Sequence, residues 1–141
     1  MKISAAKILS DKYEEIFDNW IKQQLKDTSL REDLMSNEDL EKESGELLKS
    51  ILTAIRKDNY TDVNAPEFEK ANEVLAGISL SRARNGFSPR ETAHFVFSLK
   101  YAFSAVLEKH LTDGKQLFAE MVRLNKLVDT LALVTIETFI R

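Results

Sequence analysis

An all-α bundle with no sheet is the fold class this sequence predicts, on three observations. Apolar residues recur at spacings of three and four through most of the chain, which is the mark of helices carrying one buried stripe. No segment alternates apolar with polar residues as a half-buried strand does. Only 4 Gly and 2 Pro in 141 residues leave little material for hairpin turns. The length, with 43% hydrophobic and 30% charged residues, suits a single domain spanning 1–141 around one core.

The first periodic segment runs from about Ser4 to Lys26, where Leu9, Tyr13, Ile16 and Trp20 share a face. A short extra turn is expected near Leu30–Met35. Ser36 then supplies a cap, and Glu38 and Asp39 place acids at the start of a second helix with Leu40, Leu47, Leu48, Ile51, Leu52 and Ile55 on one side. Between Asp27 and Lys49 stand eight acids and three bases, a run that reads as a solvated face. Residues 57–64 are the most loop-like in the chain. Asn64-Ala65-Pro66 opens a third helix, with Phe68, Ala71, Leu75 and Ile78 inward, and Asn85-Gly86 closes it.

The sharpest local signal is Ser88-Pro89-Arg90-Glu91, a capping box with proline in the first turn. It predicts a tight helix–turn–helix corner at Gly86-Phe87. A fourth helix, about Pro89 to Leu111, carries Phe95, Val96, Leu99, Ala102, Phe103 and Val106 on one face and Phe97, Tyr101 and Ala105 on a second. Two apolar faces imply a central position. Thr112-Asp113-Gly114 breaks it, and a fifth helix runs from about Lys115 to the last residue, with Leu117, Met121, Leu124, Val128, Leu131 and Thr135 in a heptad-like stripe. About 27 residues make a rod of about 40 Å, longer than a small domain needs to cover its own core. The expectation is therefore about five main helices, the last running on into a longer protein.

Composition excludes several chemistries. With no Cys there is no thiolate nucleophile, thiolate-held metal or disulfide framework. A net charge of −3 gives no drive towards nucleic acid. The N-terminus shows no secretory signal, and the most apolar stretch, Leu127–Ile140, carries Asp129 and Glu137, so neither export nor membrane insertion is expected and the cytoplasm is the predicted location. His94 and His110 are the only imidazoles, and neither stands in a nucleophile motif. Glu91-Thr-Ala-His94 has the Glu-x-x-His spacing of di-iron bundles but no second copy, and Glu91 already belongs to the capping box. His110, at the end of an apolar stripe, is the better placed for haem, although a His there also suits a helix dipole. No catalytic residue, metal or cofactor is predicted; His94 and His110 stay as weak cofactor candidates. Arg82, Arg84 and Arg90 flank the corner and are candidate anion or partner contacts, with pairing to acids such as Glu73 the plainer use.

The stretch SRARNGFSPRETAHFVFSLK, Ser81 to Lys100, resembles the central motif of the N-terminal domains of RsbR-type stressosome co-antagonists. LNKLVDTLA from Leu124 and TIETF from Thr135 resemble the same family's last helix. The resemblance implies a globin-like helical homodimer without haem, placed as a sensory module before a STAS domain or, in some relatives, a histidine kinase. It transfers no catalytic motif. The expected function is a non-enzymatic sensory domain that dimerises through its last two helices, with Phe97, Tyr101, Leu124, Val128, Leu131 and Thr135 as interface and relay candidates and other signalling proteins as further partners. The rival is a small-molecule or haem-binding globin using His94 or His110.

Overall fold

Seven α-helices and one 3-10 turn follow one another in the computed structural model, which describes residues 4–26, 33–56 and 62–140. They are α1 (Ala5–Asp11), α2 (Tyr13–Lys26), α3 (Asn37–Ile55), the 3-10 turn Pro66–Phe68, α4 (Glu69–Arg84), α5 (Pro89–Phe97), α6 (Leu99–His110) and α7 (Gly114–Ile140). No strand occurs among the described residues, so the all-α prediction holds. Residues 27–32 and 57–61, where part of the extra turn and most of the loop were expected, lie outside the described residues.

Two expected helices are each divided. The first breaks at Lys12, whose φ of −106° and ψ of 28° leave helical geometry while its amide still donates to the Ile8 carbonyl. The fourth breaks at Ser98, where the Tyr101 amide turns to the Ser98 carbonyl at 3.2 Å, a 3-10 bond. The Ser98 hydroxyl donates to the Phe95 carbonyl, 2.6 Å away and three residues back, and such back-bonding bends helices. Neither position holds Gly or Pro, so sequence punctuation gave no warning. Asn64 is not a cap either: Ala65 precedes Pro66 and makes no side-chain capping bond.

The predicted corner is present. Gly86 has φ of 98°, a left-handed conformation that glycine adopts without steric cost. Phe87 then donates its amide to the Arg82 carbonyl at 2.9 Å, closing the end of α4. The Ser88 hydroxyl accepts from the Glu91 amide at 3.1 Å, and the Glu91 carboxylate accepts from the Ser88 amide at 2.9 Å. Ser36 likewise caps α3 by accepting from the Asp39 amide.

α7 is the spine. It packs across α5, α4 and α6, while α2 lies on α6 and α3 on α4. Trp20, Phe68 and Phe103 are fully buried and fill the space between these layers. The inward stripes of the helices are those the spacing predicts, including Leu124, Val128, Leu131 and Thr135 on α7.

Ser88→Ala removes one side of the capping box and should lower stability by about 1 kcal/mol. Arg90→Ala, two residues on and exposed, should stay within about 0.5 kcal/mol of the parent protein. Urea denaturation followed by circular dichroism measures both.

Candidate functional site

Two features stand out: a polar and aromatic network in the interior, and an apolar face outside it that meets the network at Ser98. The network starts at Arg82, which is only 3% exposed. Its Nε donates to the Glu43 carboxylate at 3.0 Å, and its guanidinium lies 4.7 Å from the Phe87 ring centroid and 4.1 Å from that of Phe95. Phe95 stacks in turn on Trp20 at 5.1 Å. The Trp20 indole N–H donates to the Ser98 hydroxyl at 2.6 Å. Residues from α2, α3, α4 and α5 are thereby joined at the break before α6.

Burial pushes the Glu43 carboxyl above its usual range and the Arg82 guanidinium below its own, each partly offset by the other's charge. Desolvation thus outweighs attraction for both groups. A pair of this kind fixes an arrangement more than it adds stability, and removing one partner strands the other.

Phe97 and Ser98 border an open groove of about 530 Å³ that is also lined by His94, Tyr101, Met121 and Asn125. Lys100 crosses its rim, bonding Asp129 at 2.6 Å and lying 5.2 Å from the Phe97 ring centroid. On α7, Phe118, Val122, Asn125, Asp129 and Leu133 follow at spacings of three and four and form one outward stripe. Its large apolar members are mostly uncovered: Phe118 is 72% exposed, Val122 52% and Leu133 60%, beside Tyr101 at 65%.

This arrangement corrects part of the expected interface. Phe97 and Tyr101 do lie on the surface, but Leu124, Val128, Leu131 and Thr135 are at most 1% exposed and belong to the protomer's own core, packed by α4, α5 and α6. Periodicity found the apolar stripe of α7 and assigned it to the wrong neighbour. The outward stripe was legible too, from the same spacing, but its Asn and Asp interrupt the apolar pattern. Arg82 is also corrected: it is a core residue paired with Glu43, not Glu73, and is closed to outside anions. Arg84 and Arg90 remain exposed on either side of the corner. No local signal could pair Arg82 with Glu43, since 39 residues separate them.

The two imidazoles have different surroundings. His94 sits exposed at the groove, one turn after Glu91, whose carboxylate is held by the capping box. The His110 Nε2 lies 3.0 Å from the Glu15 carboxylate, which Lys109 also reaches at 3.1 Å, tying the end of α6 to α2. Among the described residues no three His, Asp or Glu side chains gather as a metal site would require. No described helix is long and apolar enough to cross a membrane.

Residues 14–141 match the family described as the RsbT co-antagonist protein rsbRD N-terminal domain. The chain belongs to that family. It is one of N-terminal regulatory domains of RsbR-type proteins rather than of known catalytic domains. No curated protein and no solved structure matches the chain. Within this rsbRD N-terminal domain the family match takes in the corner, the groove and all of α7.

Arg82→Met should cost roughly 2 kcal/mol by leaving the partly buried Glu43 carboxylate without its cation, and adding Glu43→Leu should recover most of the loss. A double-mutant cycle in urea reads that coupling. Hydrogen bonds from His110 and Lys109 hold the Glu15 carboxyl below the usual carboxylate range. Its contribution to stability is therefore present above the unfolded-state pKa and lost as pH falls through the folded one. Glu15→Gln should make the acid limb of a stability-against-pH curve shallower, while the two curves run parallel at neutral pH.

Proposed function

We propose that this rsbRD N-terminal domain is a non-catalytic sensory and regulatory module of a bacterial signal-transduction protein, which pairs with a second copy through the outward face of α7 and relays a signal along that helix. One observation carries the reading: α7 presents Phe118, Val122 and Leu133 to solvent on one side while its other side is core. Exposed large apolar residues in a row mark contact surfaces. A stripe along one helix is self-complementary under a two-fold axis, so the same patch serves both copies. A 27-residue helix also makes a rigid rod of about 40 Å. The effector is a STAS or histidine kinase domain in the same polypeptide, acting in the cytoplasm.

The mechanism follows from packing. The helices of a close-packed bundle do not deform continuously, so a signal selects between two packings of α6 and α7, and the rod carries the difference away. A second reading, a small-molecule sensor, is favoured by His94 lining the groove beside Phe97 and Tyr101. An absorption spectrum with and without added haemin separates the haem version: a Soret band that His94→Ala or His110→Ala abolishes supports it.

Sedimentation velocity at micromolar concentration should show a dimer. Val122→Glu and Phe118→Glu should shift it to monomer with helicity unchanged, whereas Leu124→Ala should lower stability by about 2–4 kcal/mol by leaving a cavity. A monomer for the parent protein at every concentration, or a dimer that survives both charged substitutions, overturns the assignment.

A further inference from the structure

The long surface between α3 and α4 is separate from the α7 face. Two cavities, of about 420 and 480 Å³, follow one another along it, with Glu46 and Val74 lining both. It runs from Met35 and Asn85 at one end to Thr53 and Glu67 at the other. Along α3 it is followed from Asp39 to Thr53, about 21 Å at 1.5 Å per residue. Met35, Val74 and Ile78 give it an apolar floor.

Its charge is one-sided at the Met35 end, where Asp39, Glu43, Glu46 and Glu73 meet a single lining base, Lys42. Among the described residues, Asp39, Glu46 and Glu73 have no ion-pair partner. Asp39 and Glu46 also act on Glu43, adding to the effect of burial on its carboxyl. The Arg82 guanidinium opposes them. The groove thus holds repulsion that an arriving cation relieves.

Gly77 lines the same end, in the middle of α4. A Cβ there would meet nothing within 4 Å, so internal packing does not require glycine. Glycine inside a helix costs about 1 kcal/mol against alanine. Close approach of another backbone is a reason to keep it.

We propose that the α3–α4 groove docks a basic amphipathic helix of a partner protein, its apolar face on Val74 and Ile78 and its Lys or Arg side chains on Asp39, Glu46 and Glu73. The length suits about four turns of helix, the helix-in-groove mode of recognition. The acid-rimmed end fixes its polarity, because at the opposite end Lys49 and Lys70 balance Glu46 and Glu67. Glu43 belongs both to the groove and to the Arg82 pair, so a bound cation competes with Arg82 for one carboxylate.

The test uses the whole chain and a fluorescein-labelled leucine–lysine peptide of about 14 residues with amphipathic helical spacing, roughly 20 Å long, read by anisotropy. Saturable binding is expected, weakened about tenfold or more by Glu46→Lys/Glu73→Lys and by Gly77→Phe. Glu108→Lys/Glu137→Lys, which changes the net charge equally on other helices, should leave affinity within about twofold. Helicity and Trp20 emission confirm that each variant is folded. Absence of saturable binding, equal weakening by the charge-matched control, or parent-like binding by both groove variants overturns the proposal. If sedimentation shows that Glu46→Lys/Glu73→Lys instead abolishes self-association, the groove belongs to a second copy and the proposal falls.

Discussion

A guanidinium that is 3% exposed dictates much of what surrounds it. Arginine stays protonated in proteins, so burying Arg82 requires an acceptor and a polarisable lining to be brought to it. Glu43 comes from α3, the Phe87 ring from the corner and the Phe95 ring from α5, and the Met35 thioether lies 3.9 Å from its Nη2. Satisfying that one side chain fixes the register of α3 on α4 and the direction in which α5 leaves the corner. Because burial moves both Arg82 and Glu43 away from their charged forms, the pair's contribution lies in specifying an arrangement.

The constraint travels inward through aromatic faces. Phe95 has Arg82 against its ring and Trp20 stacked at 5.1 Å, so α2 is keyed to the same point. Trp20 is completely buried and its N–H has to find an acceptor, which it does at Ser98. Ser98 then spends its own proton on the Phe95 carbonyl. The break between α5 and α6 is thus held by side chains from distant parts of the chain, and the groove of Phe97, Tyr101 and Met121 opens directly above it.

This division between local and distant causes explains what could be read from the sequence. The Ser88 capping box, the Gly86 corner, the Ser36 cap and the extent of α7 depend on neighbours within a few residues, and all four were legible. The inward stripes were legible because 3.6-residue periodicity reports burial. Periodicity does not name the neighbour, so Leu124, Val128, Leu131 and Thr135 were recognised as contact residues and assigned to a second copy when α4, α5 and α6 cover them. The break at Ser98 is held by Trp20 and the burial of Arg82 by Glu43, both from distant parts of the chain, and single-residue propensity carries no trace of either. The groove between α3 and α4 was half visible: the acidic run was noted, but its apolar floor comes from a helix more than twenty residues further on.

The two halves of α7 are built differently, and that bears on how a rod could report on the bundle. In its second half Thr130, Thr135 and Thr138 each donate a hydroxyl hydrogen bond to the carbonyl four residues back, at 2.9, 3.1 and 3.0 Å. Such bonds compete with the backbone ladder and favour bending. The first half instead carries the exposed Phe118 and Val122 and the half-buried Met121, and the Asp129 link to α6 falls just past the midpoint, beside Thr130. Lys100 is two residues beyond Ser98, so its bond to Asp129 joins α6 to α7 close to the break that Trp20 and Ser98 hold. In the relay proposed above, the path from the buried charge to the end of the last helix consists of one hydrogen-bonded break, one ion pair and one helix, each with a discrete geometry.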